Sequence, residues 1–228
     1  KKLSQKLPHM DHARATATLQ RVETHLQQWN WIHPEDARVA AAMIFATLVQ
    51  SLWTWRPVLL VTGESGCGKS TLFSEFLKKV FGSWTVLSDR STEAGIRQHV
   101  KNDAAPIALD EFDSYTHRRQ IIELIRSAGR GNEVLRGTRD QQGVAYKIRH
   151  MFWLAAIDVG VGGSQDANRR VILSLGPIRE NAYTPMADAD LSDLHEDVVA
   201  AAIWASGAAV PLADAARVVA VGGVHHRL

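Results

Sequence analysis

Apolar residues near the start of the chain recur with the spacing of a helix. Leu19, Val22, Leu26 and Trp29 fall on one face of residues 11–30. Such a stripe predicts an amphipathic helix whose apolar face packs against a core. Four early tryptophans are expected to pack helices onto that core, with a partner surface as the alternative. They are Trp29, Trp31, Trp53 and Trp55.

From residue 34 onward, helical spacing alternates with short apolar runs. Pro34, Glu35 and Asp36 indicate a helix start, because proline and acids favour the first turn. The predicted helices cover residues 36–51, 69–81, 92–102, 116–128, 188–206 and 211–220. Runs such as Val58-Leu59-Leu60-Val61 are short and continuously apolar, which is typical of buried strands. The predicted strands cover residues 58–61, 84–87, 106–109, 151–157 and 171–175.

This alternation predicts an α/β fold with a parallel sheet and helices on both faces. Residues 133–148 depart from it, because two β-prone arms flank a polar tip that contains Gly143. We interpret them as a β-hairpin. The predicted organisation is an N-terminal helical segment, an α/β core and a C-terminal helical segment, over residues 1–55, 56–180 and 181–228.

A glycine-rich loop follows the first predicted strand. Residues 63–71 read GESGCGKST and match the pattern G-x-x-x-x-G-K-[ST], which binds phosphate through backbone N–H groups. Lys69 would reach the β- and γ-phosphates, and Ser70 would place its hydroxyl on Mg²⁺. Thr71 opens the helix whose N-terminus favours anions. Nucleotide contact is therefore assigned to Gly63, Glu64, Ser65, Gly66, Cys67, Gly68, Lys69, Ser70 and Thr71.

Two acids, Asp110 and Glu111, end another predicted strand. At such a strand end, Asp110 can hold the water shell of Mg²⁺ and Glu111 can orient and deprotonate an attacking water. The second carboxylate favours hydrolysis over simple phosphate binding. The alternative is a pair that only caps the next helix. Asp113 is a weaker acid candidate and is expected to be a helix cap.

The loop and the acid pair together resemble the Walker A and Walker B motifs of additional-strand P-loop ATPases, the AAA+ group included. The Asp-Glu pair is followed by a helix, a glycine- and arginine-rich turn, an Arg-Gly-Thr hairpin, a strand and Asn-Arg. That order is similar to the helicase part of phage, plasmid and mobile-element primase-helicases, over about residues 56–176. The resemblance implies a P-loop NTPase fold with sheet order 5-1-4-3-2, the cofactors ATP and Mg²⁺, and a pre-sensor-1 hairpin like that of superfamily 3 helicases.

Positive charge is concentrated around the predicted hairpin. Residues 126–150 carry a net charge of +4, whereas the whole chain carries +2. The basic residues are Arg126, Arg130, Arg136, Arg139, Lys147 and Arg149. A basic hairpin can follow a nucleic-acid backbone, and polar side chains at its tip can add hydrogen bonds to phosphate. The alternatives are a hairpin that faces solvent or one that contacts a neighbouring subunit.

Nucleic-acid contact is assigned to Arg136, Thr138, Arg139 and Lys147. Gln141 and Gln142 can add hydrogen bonds to phosphate. The resemblance assigns Arg136 and Arg139 to nucleic acid, or Arg130 to the side of a central pore. The sequence leaves that choice open.

The resemblance also gives a role to Arg169, which precedes the last predicted strand, with Arg170 in reserve. An arginine at this place acts on the γ-phosphate of the next subunit, which implies a ring of about six copies. The alternative is a surface cluster of arginines. Arg179 and Arg217 are candidates for a lid arginine.

One departure from the family pattern concerns the strand over residues 151–157. Relatives carry a polar residue, often Asn, at its tip, whereas this strand ends Ala155-Ala156-Ile157-Asp158. Asp158 is a candidate substitute, although its carboxylate would repel a γ-phosphate, and Asn168 is the nearest Asn. The departure puts either efficient hydrolysis or the predicted strand boundary in question.

Composition narrows the function classes further. The chain has 228 residues, of which 46% are hydrophobic and 22% charged, as in ordinary globular proteins. The single cysteine, Cys67, excludes an intrachain disulfide and fits a reducing cytoplasm. The longest uncharged apolar run, residues 39–49, is too short to span a membrane. The chain begins with Lys1, so we expect it to be part of a longer protein.

These features predict an ATP-hydrolysing, oligomeric nucleic-acid motor, the DNA helicase core of a replication protein from a mobile element or phage. An ATP-dependent loader or switch that binds DNA without unwinding it is the alternative. A small-molecule kinase is a third hypothesis, against which Asp110, Glu111 and the basic hairpin count.

Overall fold

The computed structural model describes residues 7–83, 85–131, 133–137, 143–157, 169–179 and 188–207. Its strands are β1 (Val58–Thr62), β2 (Val86–Ser88), β3 (Ile107–Leu109), β4 (Glu133–Gly137), β5 (Gly143–Lys147), β6 (Phe152–Ala156) and β7 (Arg170–Ser174). Five of them form a parallel sheet in the order β2-β3-β6-β1-β7. With the hairpin strands left out and the rest renumbered along the chain, this is the expected order 5-1-4-3-2. The α/β class and the parallel sheet are confirmed.

The central strands are apolar on both sides because helices cover both faces of the sheet. Every residue of β3 and β6 is buried, as are Leu59, Leu60 and Val61 of β1. In β1, Leu59 and Val61 point into one hydrophobic cluster and Leu60 points into the other. The continuous apolar runs in the sequence follow directly from this two-sided burial.

The helices are α1 (His12–Leu26), α2 (Asp36–Leu48), α3 (Lys69–Thr71), α4 (Lys78–Phe81), α5 (Glu93–Val100), α6 (Arg118–Arg130) and α7 (Asp188–Gly207). A π-helical segment, Leu72–Leu77, joins α3 and α4 into one continuous helix over the predicted residues 69–81. The sequence pattern did not predict its π-helical geometry. The predicted helix over residues 211–220 and residue 84 of a predicted strand lie outside the described residues.

Side-chain caps explain where two of the helices begin. An oxygen of Asp11 accepts a 2.8 Å hydrogen bond from the N–H of Arg14 at the start of α1. The Thr92 hydroxyl accepts a 3.1 Å bond from the N–H of Gly95 at the start of α5. Both satisfy backbone donors that the first turn of a helix leaves without partners.

Two hydrophobic clusters lie on opposite faces of the sheet. One joins the sheet to α1, α2, the helix over residues 69–81 and α7, with Trp153 and Phe76 among its fully buried members. The other joins the sheet to α5 and α6 through residues such as Ile96, Ile121 and Leu124. The N-terminal helices therefore share a core with the sheet.

The hairpin strands β4 and β5 are antiparallel, with Glu133 opposite Lys147 and Gly137 opposite Gly143. The predicted hairpin is thus present between α6 and β6. Residues 138–142, which include its polar tip, lie outside the described part of the chain.

Candidate functional site

The glycine-rich loop, residues 63–68, and the Asp110-Glu111 pair lie at the same edge of the sheet. The loop follows the carboxyl end of β1 and the acids follow the carboxyl end of β3, with β6 between the two strands. Because neighbouring strands are about 4.8 Å apart, the ends of β1 and β3 are separated by about 10 Å. Carboxyl edges of parallel sheets are where α/β proteins bind their ligands.

The loop backbone has the freedom that phosphate binding needs. Gly66 has φ +80°, and a Cβ atom on it would meet nothing within 4 Å, so the loop is open there. Gly63 is packed tightly instead, because a Cβ on it would lie 2.6 Å from the carbonyl oxygen of Leu175. Gly66 thus leaves room for a ligand, and Gly63 allows the loop to pack against the end of β7.

Lys69 folds back onto the loop that precedes it. Its ammonium donates to the carbonyl oxygens of Gly63 at 2.6 Å and Glu64 at 2.8 Å, and lies 3.5 Å from the sulfur of Cys67. The ammonium therefore lies against the loop backbone that would surround a phosphate. Ser70 is exposed at the start of α3, where its hydroxyl can reach a metal ion.

Asp110 and Glu111 form a tight turn beyond β3. The N–H of Asp110 donates to Ser88 at the end of β2, and its carboxylate accepts the N–H of Glu111 at 2.9 Å. Glu111 has φ +48°, a left-handed conformation that is uncommon outside glycine and is often found at functional sites. Glu111 is exposed at this edge of the sheet.

Buried aromatic residues hold this turn in place. Phe112 is fully buried directly after Glu111. The hydroxyl of Tyr115 donates a 2.7 Å bond to the Ser88 carbonyl oxygen, which also accepts the N–H of Asp110. Burial raises the pKa of Tyr115 to about 12, so the phenol keeps its donor proton at physiological pH. The end of β2, the acids and Tyr115 therefore form one rigid unit.

Asp113 has a different role from the predicted helix cap. One of its carboxylate oxygens accepts a 2.8 Å bond from the N–H of Ile157, just beyond the end of β6. Its other oxygen is buried and has no hydrogen-bond partner within the described part of the chain. Asp113 therefore joins the acidic turn to the neighbouring strand end.

The end of β6 offers no polar side chain within the described residues. Ala155 and Ala156 are buried, and Ile157 is apolar and 56% exposed. Asp158 and Asn168 lie outside the described part of the chain. Thr62 at the end of the neighbouring β1 is paired with Ala156, and its hydroxyl lies 3.3 Å from that of Ser174 on β7.

Arg169 and Arg170 lie at the opposite, amino edge of the sheet. Arg170 is paired with Val58, the first residue of β1, and the Arg169 carbonyl accepts the N–H of Val58 at 2.9 Å. A five-residue strand separates them from the loop by roughly 13 Å. The structure does not bring either arginine to the loop of its own chain. Arg179, the described lid candidate, is exposed, and Arg217 lies outside the described residues.

The proposed nucleic-acid contacts are only partly within the described structure. Arg136 lies in β4 and Lys147 in β5, where the backbone alone is described. Thr138 and Arg139, together with Gln141 and Gln142, lie outside the described residues.

The structure adds Trp29, which the sequence pattern placed in the core without any role at the loop. Its indole N–H donates a 3.0 Å bond to the carbonyl oxygen of Gly68, and a Cβ on Gly68 would meet its ring at 3.3 Å. The ring also packs near Phe76 and His25. A small cavity beside the loop is lined by Trp29, Asn30, Thr71 and Ile178, among others. No spacing signal reveals this contact, because it joins residues 39 positions apart.

Comparison with known proteins identifies the fold. No family model and no curated protein matches the chain. Two solved apo structures of the C-terminal region of NrS-1 match with TM-scores of 0.53 and 0.52, at 12% and 14% identity. The matches cover 89% and 82% of this chain but 48% and 45% of those chains, so the chain spans about half of their length.

No helix in the described part of the chain is long and apolar enough to cross a membrane.

The two structural matches show that the chain shares its fold with part of the NrS-1 C-terminal region.

Proposed function

We propose that the chain is the ATPase core of an oligomeric nucleic-acid motor, a DNA helicase of a replication protein. The observation that carries the proposal is the placement of the glycine-rich loop and the Asp110-Glu111 turn on one edge of a sheet of order 5-1-4-3-2. The shared fold with a region of NrS-1 is consistent with it. The hairpin between α6 and β6 supports the nucleic-acid part.

The residues fit MgATP. The open backbone at Gly66 leaves room for phosphate oxygens, and the Lys69 ammonium would turn to them from the carbonyl oxygens of Gly63 and Glu64. Ser70 and Asp110 would hold Mg²⁺, which supplies charge neutralisation at the phosphates when bound. Asp110 keeps one carboxylate oxygen beyond the one that accepts the Glu111 N–H. Glu111 would accept a proton from the attacking water.

A neighbouring copy would complete the site. Arg169 lies too far from its own loop, so a role at a γ-phosphate requires the loop of another chain. Head-to-tail contact would bring the amino edge of one copy to the carboxyl edge of the next, which is a heterologous interface that can close into a ring. A ring of about six copies is part of the proposal.

ATP hydrolysis with and without single-stranded DNA tests the proposal. DNA should stimulate hydrolysis, and Lys69→Ala and Glu111→Gln should each lower the rate by a factor of about 100 or more. Lys78→Ala, an exposed lysine on the same helix, and Glu123→Gln, an exposed acid on α6, are matched controls. Hydrolysis that survives both site substitutions would exclude the proposed site.

A loader or switch that binds DNA without unwinding it is the second candidate. The apolar tip of β6, Ala155-Ala156-Ile157, favours it, because no described side chain there can position a water. A strand-displacement assay separates the two functions. A motor releases the displaced strand as ATP is consumed, whereas a loader binds DNA with ATP and releases none.

A further inference from the structure

The turn between α2 and β1 presents apolar side chains to solvent. Leu52 is 62% exposed and Trp55 is 38% exposed. Arg56, which is buried, fixes the turn through its guanidinium, which donates to the carbonyl oxygens of Gln50 at 2.7 Å and Trp53 at 2.6 Å. Trp55 is therefore held at the surface by an ordered backbone.

The same turn lies against the base of the hairpin. The backbone N–H of Arg56 donates a 2.9 Å bond to Gly129 in the last turn of α6. Gly131 leads into β4. A Cβ atom on Gly131 would lie 3.2 Å from the Arg56 guanidinium and 3.7 Å from the side chain of Arg149, which follows β5. Both ends of the hairpin thus meet beside the residue that follows Trp55.

This region is positively charged. Arg126 and Arg130 are exposed in the last two turns of α6, and the half-buried Arg149 has a buried Nε atom with no hydrogen-bond partner among the described residues. His150 stays neutral at physiological pH, because burial, with the nearby Arg56 and Arg149, lowers its pKa to about 4. The charge of this surface therefore comes from the arginines, and it favours an anionic ligand.

We propose that Trp55 stacks on a base of single-stranded nucleic acid whose phosphates contact Arg130 and Arg149. An exposed aromatic ring beside arginines is the combination that binds single strands without sequence preference. The apolar surface at Leu52 and Trp55 is small for a stable protein interface, which buries roughly 800 Å² on each partner. The inference rests on the proposed function and adds a contact outside the hairpin strands.

Binding of a labelled oligothymidylate to the full chain, followed by fluorescence anisotropy, tests the inference. Trp55→Ala should weaken binding about 5- to 150-fold, the effect of losing one stacked base. Trp55→Phe should retain most of the affinity because it keeps a ring. Ile203→Ala removes an apolar side chain that is 49% exposed on α7 and should bind as the unmodified chain does. Thermal melting shows whether each variant is folded.

Salt dependence separates stacking from charge. Arg130→Ala should reduce the slope of log K against log salt by about 0.7, the value for one phosphate of a single strand, whereas Trp55→Ala should leave the slope unchanged. An oligouridylate used in parallel shows whether the strand is DNA or RNA.

Three outcomes would overturn the inference. If Trp55→Ala binds with unchanged affinity while the unmodified chain binds DNA, the inference fails and the proposed function stands. If the unmodified chain binds neither strand, both nucleic-acid assignments fail, and ATPase activity alone decides whether the nucleotide site is real. If Trp55→Ala changes the molecular mass of the assembly but not DNA affinity, Trp55 is a subunit contact.

Discussion

Two single side chains, one distant in sequence and one adjacent, hold the backbone of the glycine-rich loop. Trp29 donates to the Gly68 carbonyl, and the ammonium of Lys69 donates to Gly63 and Glu64. The loop pattern predicts phosphate contact for Lys69, which stays a prediction, and it gave no sign of the bonds to Gly63 and Glu64. The role of Trp29 could not be predicted, because a buried tryptophan after a helix most often serves only packing. Its hydrogen bond depends on how α1 docks onto the sheet.

Removal of the Trp29 indole N–H should weaken nucleotide binding. We expect Trp29→Phe to raise the Kd for ATP about 5-fold, the value of one hydrogen bond of about 1 kcal/mol, because the last peptide of the loop loses its anchor. Titration calorimetry measures the change. Trp53→Phe is the matched control, since it removes a 3.0 Å indole bond to Ala46 away from the loop. Equal ATP affinities in the two variants would contradict the positioning role.

His150 should make the fold less stable in mild acid. Its pKa is about 4 in the folded chain, below the ordinary value of 6.5, so between these pH values the unfolded chain binds more protons. Stability should therefore fall as the pH drops from 6.5 towards 4, by up to about 3 kcal/mol. Urea unfolding at pH 7 and pH 5 measures this.

His150→Asn is the control for that experiment, because an amide can still donate to Ala105, which the ring contacts at 3.0 Å. The variant should lose a large part of the acid dependence. If its stability changes with pH as much as that of the unmodified chain, other groups cause the effect. His25, whose pKa is lowered by burial and by Arg21, would be the next residue to test.

At the scale of elements, the sequence was most informative where burial is simplest. The central strands could be predicted because two-sided burial produces continuous apolar runs such as Ile107–Leu109, whereas the edge strands β2 and β7 are mostly half-buried. The π-helical segment Leu72–Leu77 could not be predicted, since it keeps the same apolar residues and changes only which carbonyl each N–H reaches. The hairpin could be predicted from its β-prone arms and glycine tip.

Neutralising the hairpin should lower the salt dependence of DNA binding. Arg136→Gln combined with Lys147→Gln should reduce the slope of log K against log salt by about 1.4, because two phosphate contacts to a single strand are lost. Arg38→Gln combined with Arg119→Gln removes two arginines whose side chains are 76% and 90% exposed on other helices. An equal loss of slope in both pairs would indicate nonspecific charge rather than a contact at the hairpin.

At the scale of the whole molecule, the two edges of the sheet have different roles in the proposal. Asp110 and Glu111 lie at the carboxyl edge, and Arg169 and Arg170 lie at the amino edge. The sequence could indicate both groups and their separation, because residues that follow one strand and residues that precede another lie at opposite edges of a parallel sheet. That separation makes cooperation between copies testable.

Mixing two inactive variants should restore ATP hydrolysis. Lys69→Ala lacks a working loop and Arg169→Ala lacks the proposed finger, but an interface between them combines an intact loop with an intact arginine. The rate of the mixture should exceed that of either variant alone. Arg170→Ala, tested in the same way, identifies which arginine acts. A mixture that assembles with ATP, by light scattering, yet stays inactive would contradict action between copies.

The segment before α2 closes one side of the sheet. Trp31 forms an antiparallel bridge with Leu175, the N–H of Ile32 donates to Ser174, and the Asp36 carboxylate accepts the N–H of Ser174. Unpaired strand edges recruit other chains and lead to aggregation. A fragment that begins at residue 56 would expose this edge of β7 together with the apolar surface under α1 and α2. The segment before residue 56 thus covers the edge of β7 and protects the sheet from pairing with other copies.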